Sequence, residues 1–225
     1  MLWTALGPAA SALVYFTVFK FVMRVQVPNY LVCVFGGTLV WSFYANSILQ
    51  GLESIVGNQV LLSKIPMPLN VFPLSETATL FINLILATPI LLLVMIFSGA
   101  VISLQIFWIP IIYLIFFVQA YSIALITAVW FVHLRDLRHI FMIVLQVLFY
   151  ANPIVYTLSM IPHQYEFVPF FIPSAFLFEA LQNVLAFDKN VNLERIGIAL
   201  CWTGFLFGWA AWTFLSQNRK LAEII

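Results

Sequence analysis

The chain has 225 residues, of which 64% are hydrophobic and 8% are charged, and its formal net charge is +1. Soluble domains carry about 25% charged residues, so the composition excludes an ordinary water-soluble protein and indicates a multi-pass membrane protein. The near-neutral charge also excludes the basic surface on which nucleic-acid binding depends. Cys33 and Cys201 lie in apolar runs, and no Cys/His cluster has ligand spacing, so we expect neither a disulfide nor a metal site.

Six segments are long and apolar enough to cross a bilayer, which takes about 20 residues of α-helix. The sequence therefore predicts an all-α fold, a single transmembrane domain of about six helices over residues 1–225. The start of the chain lacks the basic region of a signal peptide, so we expect it to form the first span. The predicted spans cover residues 2–22, 30–48, 75–97, 107–131, 140–158 and 193–215.

The stretch between the second and third spans is polar and carries Glu53, Asn58 and Lys64. Apolar residues recur between these polar ones, a pattern typical of a short amphipathic helix on a membrane surface, here residues 53–64. Pro66 and Pro68 then end the helix and turn the chain back toward the bilayer. A soluble partner could push on such an element. An ordinary inter-helix loop explains the same spacing.

The densest charge cluster, residues 133–139, follows the fourth span and includes Arg135, Asp136 and Arg138. We interpret it as a cytoplasmic loop whose arginines hold the topology. An intramembrane enzyme is the competing hypothesis, and it would use Asp136, His139 and Glu179. No acid/base set converges on the cluster by spacing, so we expect no catalytic residue.

Residues 164–190 are apolar but interrupted by Pro169 and Pro173, and they include Glu179. Two short helices that dip into the outer leaflet fit this stretch, because broken structure at membrane depth is tolerated when protein or a wet cavity surrounds it. Glu179 is then expected to face water or the protein interior rather than lipid. The alternative is a seventh span, which would put the two termini on opposite sides of the membrane.

The distribution of Lys and Arg between the loops favours both termini in the cytoplasm, by five residues to four. The cytoplasmic set is Lys64, Arg135, Arg138, Arg219 and Lys220, and the opposite set is Lys20, Arg24, Lys189 and Arg195.

Aromatic residues make up 17% of the chain and cluster in the first, second and fifth spans. Rings that combine an apolar face with a polar tip could support a sliding sugar chain by stacking. Contact with lipid or with the protein core is the alternative for each of them. The candidate channel residues are Tyr15, Phe16, Phe19, Phe43, Tyr44, Phe149, Tyr150 and Tyr156.

The sequence contains no G-x-x-x-x-G-K-[ST] nucleotide-binding loop. We therefore expect no cofactor in this chain. If transport is driven by ATP, a separate chain must bind the ATP and its Mg²⁺.

Four motifs, in this order along the chain, resemble those of the permease subunits of type II ABC exporters. The resemblance is to the polysaccharide branch, which exports O-antigen and teichoic-acid chains, and it extends over nearly the whole sequence. Members of this family usually begin with an amphipathic interface helix, whereas here the first predicted span starts close to Met1. The motifs are WSFYANS at 41–47, LSKIPMP at 62–68 followed by VFP at 71–73, RDLRH at 135–139, and NPIVY at 152–156 followed by Ile161-Pro162.

The resemblance implies a transport subunit of the bacterial cytoplasmic membrane that catalyses no covalent chemistry. It implies a homodimer embedded in membrane lipid and bound to two copies of an ABC ATPase, with residues 53–64 as the coupling helix on that ATPase. Residues 164–190 would form the outer gate, and the cargo would be a lipid-linked polysaccharide. A drug, haem or a small lipid remains an alternative cargo within the same family.

Overall fold

The computed structural model describes residues 2–22, 27–59, 67–101 and 103–224 of the chain. Every regular element within these ranges is helical. The α-helices are α1 (Leu2–Thr17), α2 (Tyr30–Gly57), α3 (Val71–Phe97), α4 (Trp108–Phe131), α5 (Leu137–Ala151), α6 (Ala175–Gln182) and α7 (Leu193–Ile224). Short π-helical turns follow α1 at Val18–Val22 and α6 at Asn183–Phe187, and 3-10 turns lie at Leu104–Phe107, Leu158–Met160, His163–Tyr165 and Val168–Phe171.

Among the described residues, four helical segments are long and apolar enough to cross a membrane, and a fifth is obtained if a bent pair counts as one span. The bent pair joins His163–Phe171 to Ala175–Phe187 at an angle of 108°. The predicted all-helical, multi-pass membrane fold is thus confirmed, while the count of six spans stays a prediction. The four segments are Tyr30–Gly57, Val71–Phe97, Leu104–Phe131 and Leu193–Gln217.

Helix α2 is the centre of the fold and packs against α1, α3, α4, α5 and α6. Its contact with α4 is close because α2 has glycine at position 51. A Cβ atom added to Gly51 would lie 2.6 Å from the Cβ of Ala124 in α4. Small residues of this kind let two membrane helices approach backbone to backbone.

Helices α3 and α7 lie at the periphery and expose large apolar side chains, such as Ile82, Leu93, Phe205 and Trp212. In water such surfaces would cause aggregation. In a bilayer they face lipid, as the composition predicts.

The α2 helix continues well beyond the predicted end of the second span at residue 48. It runs without a break to Gly57, so Glu53 belongs to its last turns and Asn58 is its C-cap residue. Nothing between 48 and 57 stops a helix, since the segment contains no proline. Residues 60–66, including Lys64 and most of the second half of the predicted coupling helix, lie outside the described residues.

Helix α5 covers only the first part of the fifth predicted span, 140–158. It ends at Ala151 because Pro153 lacks the N–H group that a continuing helix needs. Asn152, the residue before the proline, has extended backbone angles (φ −80°, ψ 146°), as the proline ring requires. Of the remainder of the predicted span, residues 152–157 form a non-helical turn segment, and Leu158 begins a 3-10 turn.

Candidate functional site

A polar stripe runs along α2 within its membrane-spanning length. Thr38, Ser42, Asn46 and Gln50 are spaced four residues apart, so they share one face of the helix. Polar side chains in a membrane helix usually face the protein interior or a water-filled cavity, because contact with lipid is costly. The stripe therefore indicates a side of α2 that faces the protein interior or water rather than lipid.

Two cavities open along the polar stripe and meet at Gly7, Ser42 and Asn46. The first, of about 310 Å³, lies between α1, α2 and α3, and Gln50 and Asn83 also line it. The second, of about 460 Å³, lies between α1, α2 and α5. We call the two together the polar cleft. The second cavity is further lined by Ser11, Tyr15, Thr38, Trp41, Ala45, Gln146, Phe149 and Tyr150.

The lining of the polar cleft combines hydroxyls, amides and aromatic rings, and none of the described lining residues is Asp, Glu, Lys, Arg or His. Asn46 donates from Nδ2 to the carbonyl (2.7 Å) and the hydroxyl (3.2 Å) of Ser42, so its carbonyl oxygen stays available. Within the described residues, the side chains of Gln50, Asn83 and Gln146 form no hydrogen bond to the protein. Uncharged hydrogen-bond donors and acceptors beside aromatic rings are suited to contact with an uncharged polymer that carries hydroxyl groups.

The candidate aromatics divide between the cleft and the core. Tyr15 and Tyr150 line the cleft, and each ring contacts Phe149, with centroids 5.3 Å and 5.1 Å away. Trp41 meets Phe149 edge to face at 5.8 Å. Trp41 was not among the predicted channel residues, although its position three residues after Thr38 of the stripe places the two on neighbouring parts of the helix surface.

The remaining candidate aromatics pack mainly against the protein. Phe43 is 4% exposed, packs on Phe81 and also lines the first cavity of the cleft, whereas Tyr44 is 2% exposed and packs on Phe116 in the core. Phe16 packs on Tyr30, with ring centroids 6.2 Å apart, at the N-terminal end of α2. The Tyr156 hydroxyl donates to the carbonyl of Ala151 (2.8 Å). The side chain of Phe19 lies outside the described residues.

The turn segment after α5, residues 152–157, has backbone carbonyls that would be hydrogen-bonded in a continuous helix. We call this segment the break. Gln182 Nε2 donates to the carbonyls of Pro153 (2.6 Å) and Tyr156 (2.9 Å), and the Tyr30 hydroxyl donates to that of Val155 (2.6 Å). Asn152 is fully buried, and its side chain accepts a hydrogen bond from Ser174 (2.8 Å). Side chains from α2 and α6 therefore hold the break in place, as membrane-depth turns require.

Gly37 lets this break dock on α2. A Cβ atom at position 37 would lie 3.1 Å from Ile154 Cγ2 and 3.3 Å from the Ile154 carbonyl oxygen. Buried Gln119 of α4 adds a second clamp, since its Nε2 donates to the Pro173 carbonyl (3.1 Å) and to Thr203 of α7 (2.9 Å). The chain between α5 and α6, which contains the break and which we call the broken stretch, is thus held against α2, α4 and α7.

Glu179 of α6 is paired with Arg195 at the start of α7, and its side chain is 16% exposed. The Arg195 guanidinium also lies over the Phe176 ring, 5.7 Å from the centroid. The pairing explains how a carboxylate is tolerated in this apolar stretch. Glu179 is therefore accounted for as a partner that ties the α6 segment to α7.

At the opposite end of α2, Glu53 forms an ion pair with Arg138 at the start of α5, with 2.6 Å between Glu53 Oε1 and Arg138 Nε. The structure thereby joins a residue of the predicted coupling helix to a residue of the predicted cytoplasmic loop. Asn58 donates from Nδ2 to the Ser54 carbonyl (2.8 Å), and Arg135 lies 5.5 Å from the Phe131 ring centroid.

The residues of the enzyme hypothesis are not brought together. Asp136 precedes α5 at the end where Glu53 lies, whereas Glu179 lies near the other end of α2, where Tyr30 holds the break. The 23 residues from Tyr30 to Glu53 correspond to roughly 35 Å of helix. Over the described parts of the chain, no group of three or more His, Cys, Asp and Glu could hold a metal ion.

Three curated bacterial proteins are similar to this chain over its whole length. Two are from Klebsiella pneumoniae, at 29% and 30% identity, and one is from Myxococcus xanthus, at 30% identity. Each is named O-antigen export system permease protein RfbA, and the chain covers 86%, 86% and 87% of their lengths. No protein-family model matches the sequence.

The hydrogen bonds from Gln182 make a direct prediction for stability. Gln182→Leu leaves two carbonyls of the break without their donor, which costs about 1–3 kcal/mol. In a chain of this size, each kcal/mol lowers the Tm by about 2–4 °C. Thermal unfolding of the purified protein in detergent measures the shift.

Gln164→Leu is the matched control, because Gln164 is exposed in the segment between α5 and α6 and forms no side-chain hydrogen bond within the described residues. Its Tm should stay close to that of the wild type. Equal Tm values for the two variants would show that Gln182 does not hold the break.

Proposed function

Because the chain belongs to the family of O-antigen export system permease proteins, we propose that it is the membrane subunit of an ATP-driven exporter of lipid-linked polysaccharide. It is a multi-pass protein of the bacterial cytoplasmic membrane and acts in transport. The polysaccharide is of the O-antigen type, as in the names of the relatives, or is similar to teichoic acid.

The polar cleft is the observation that carries this proposal. A glycan presents hydroxyl groups along its edges and apolar C–H faces between them, so it needs both polar groups and aromatic surfaces on its path. Asn46, Gln50 and Gln146 supply amides, and Tyr15 and Trp41 supply rings. The absence of charged lining residues avoids strong binding sites that would stall a moving chain.

A second copy of the chain is proposed to complete the path. Asn46, Gln50 and Gln146 are exposed on the single protomer, and amides that face lipid are costly. A homodimer that closes over the polar cleft would cover these groups and enclose a continuous channel. The lipid carrier would then pass laterally beside α1 and α5 while the glycan passes through the channel.

ATP hydrolysis is assigned to a separate ABC ATPase, present in two copies, which binds the ATP and Mg²⁺. The end of α2 and the start of α5 would receive its motion together, because Glu53 and Arg138 tie them to each other. Asn58 and Lys64 lie in the same predicted contact region, and so do Arg135 and Asp136 in the neighbouring loop.

The export proposal is tested by deletion of the gene and fractionation of glycan between the cell surface and the inner leaflet. Surface glycan should vanish while lipid-linked polymer accumulates inside, and the wild-type gene should restore export. Asn46→Leu, which places a branched apolar side chain in the cleft, should restore it poorly.

Two outcomes would contradict the proposal. Loss of polymer from both fractions would indicate failed synthesis and favour an enzyme. An unchanged distribution would indicate that the cargo is not a glycan, as for an exporter of a drug or small lipid.

The Glu53–Arg138 pair predicts a charge-reversal effect on coupling. Glu53→Arg and Arg138→Glu should each lower transport-coupled ATP hydrolysis of the complex about fivefold, which corresponds to about 1 kcal/mol. The double variant should recover most of the rate because the pair re-forms with reversed charges. ATPase assays of the reconstituted complex with and without glycan substrate measure the coupling.

Arg135→Glu provides the control, because Arg135 lies in the same loop but forms no ion pair within the described residues. Combined with Glu53→Arg, it should not recover the rate. If that combination recovers as much as the Arg138→Glu double variant, net charge rather than this pair controls coupling.

A further inference from the structure

A small polar pocket lies beside the broken stretch, at the end of α2 opposite the Glu53–Arg138 pair. Its volume is about 230 Å³, and it is separate from the polar cleft, with which it shares no lining residue. Four chain segments build it: residues 27–28, 157–160, 179–183 and 187–189. Drug-sized ligands occupy about 300–1,000 Å³, so the pocket fits one small unit rather than a length of polymer.

The pocket is held in shape by bonds within its walls. Gln182 forms part of the lining and fixes the carbonyls of Pro153 and Tyr156. The backbone N–H of Lys189 donates to the Asn183 carbonyl (3.1 Å), which fixes these two residues relative to each other. A cavity whose walls are already ordered loses little entropy when a ligand binds.

Several lining groups keep unused hydrogen-bonding capacity. Among the described residues, the side chain of Asn183 makes no hydrogen bond, and the ammonium group of Lys189 makes no ion pair. Lys189 instead lies over the Phe187 ring, 5.4 Å from its centroid. Glu179 uses one carboxylate oxygen on Arg195. Donors and acceptors are therefore both available.

The chemistry of the lining points to an uncharged ligand with alternating polar and apolar faces. The Glu179 carboxylate is already paired with Arg195, and the single ammonium group of Lys189 can donate hydrogen bonds to neutral hydroxyls. The oxygens of the Thr157 and Ser159 hydroxyls are 2.9 Å apart, and each hydroxyl can donate or accept a hydrogen bond. Phe187 adds an aromatic wall. A pyranose ring has hydroxyls on its edges and C–H groups on its faces, which matches this combination.

We propose that this pocket is a binding site for a single neutral pyranose unit of the exported glycan, on the outer side of the gate. The inference rests on the proposed export function for its source of sugar and for the outward position of the pocket. Lys189 and Asn183 bind ring hydroxyls, and Phe187 packs on a sugar face. Such a site would hold the emerging chain and oppose its return into the channel.

The experiment is saturation-transfer NMR on the protein in lipid nanodiscs with the methyl glycosides of glucose, galactose and mannose. At least one should bind saturably, with a dissociation constant on the order of 1–10 mM, as expected for a ligand of this size. Lys189→Ala and Asn183→Leu should each weaken binding about tenfold. Lys189 is exposed, so its truncation does not endanger folding. As a control, His163→Ala, at an exposed residue of the broken stretch that does not line the pocket, should leave binding unchanged.

Three results would overturn the inference. The first is the absence of saturable binding by all three glycosides, and the second is equal binding by the wild type and both pocket variants, which would locate the sugar elsewhere. The third is a clear preference for methyl glucuronide that Lys189→Ala abolishes, which would identify an anion site. None of these results affects the glycan-fractionation test, so the export function and the outer sugar site can fail separately.

Discussion

A backbone carbonyl without a hydrogen-bond partner is costly inside a bilayer, and the segment after α5 presents several of them. Pro153 ends the helix, and Gln182, Tyr30 and Tyr156 then supply the donors that the helix would have supplied. This arrangement fixes the broken stretch on α2 and leaves room beside it for a polar pocket. The half of the molecule around the N-terminal end of α2 depends on it, because these donors satisfy the carbonyls that the end of α5 leaves unpaired.

The two sides of helix α2 differ in character. Its buried side packs closely on α4 through Gly51, while its polar stripe borders open cavities beside α1, α3 and α5. A membrane helix with one packed side and one wet side is suited to line a path. At its two ends α2 contacts the break through Tyr30 and the start of α5 through Glu53.

Sequence reasoning succeeded where a local property decides the structure. Composition and run length were enough to predict a helical membrane protein, and Pro169 and Pro173 were enough to predict that 164–190 is broken. The end of α5 was misplaced within 140–158 because the apolar run hides the effect of Pro153. The polar stripe was visible as a four-residue spacing, but averaging over a 20-residue span conceals it. The Gln182 and Arg138 contacts join residues 26 or more positions apart, and no local pattern reveals them.

The most direct test of a wet path along α2 is the reactivity of single cysteines with a membrane-impermeant maleimide. In a background with Cys33 and Cys201 replaced by alanine, cysteine at Ser42, Asn46 or Gln50 should react in at least one state of the ATP cycle. Cysteine at Ile85, which is exposed on the peripheral helix α3, should not react, because a thiol in lipid does not ionise. Protection of all three α2 positions in every state would contradict a path along this helix.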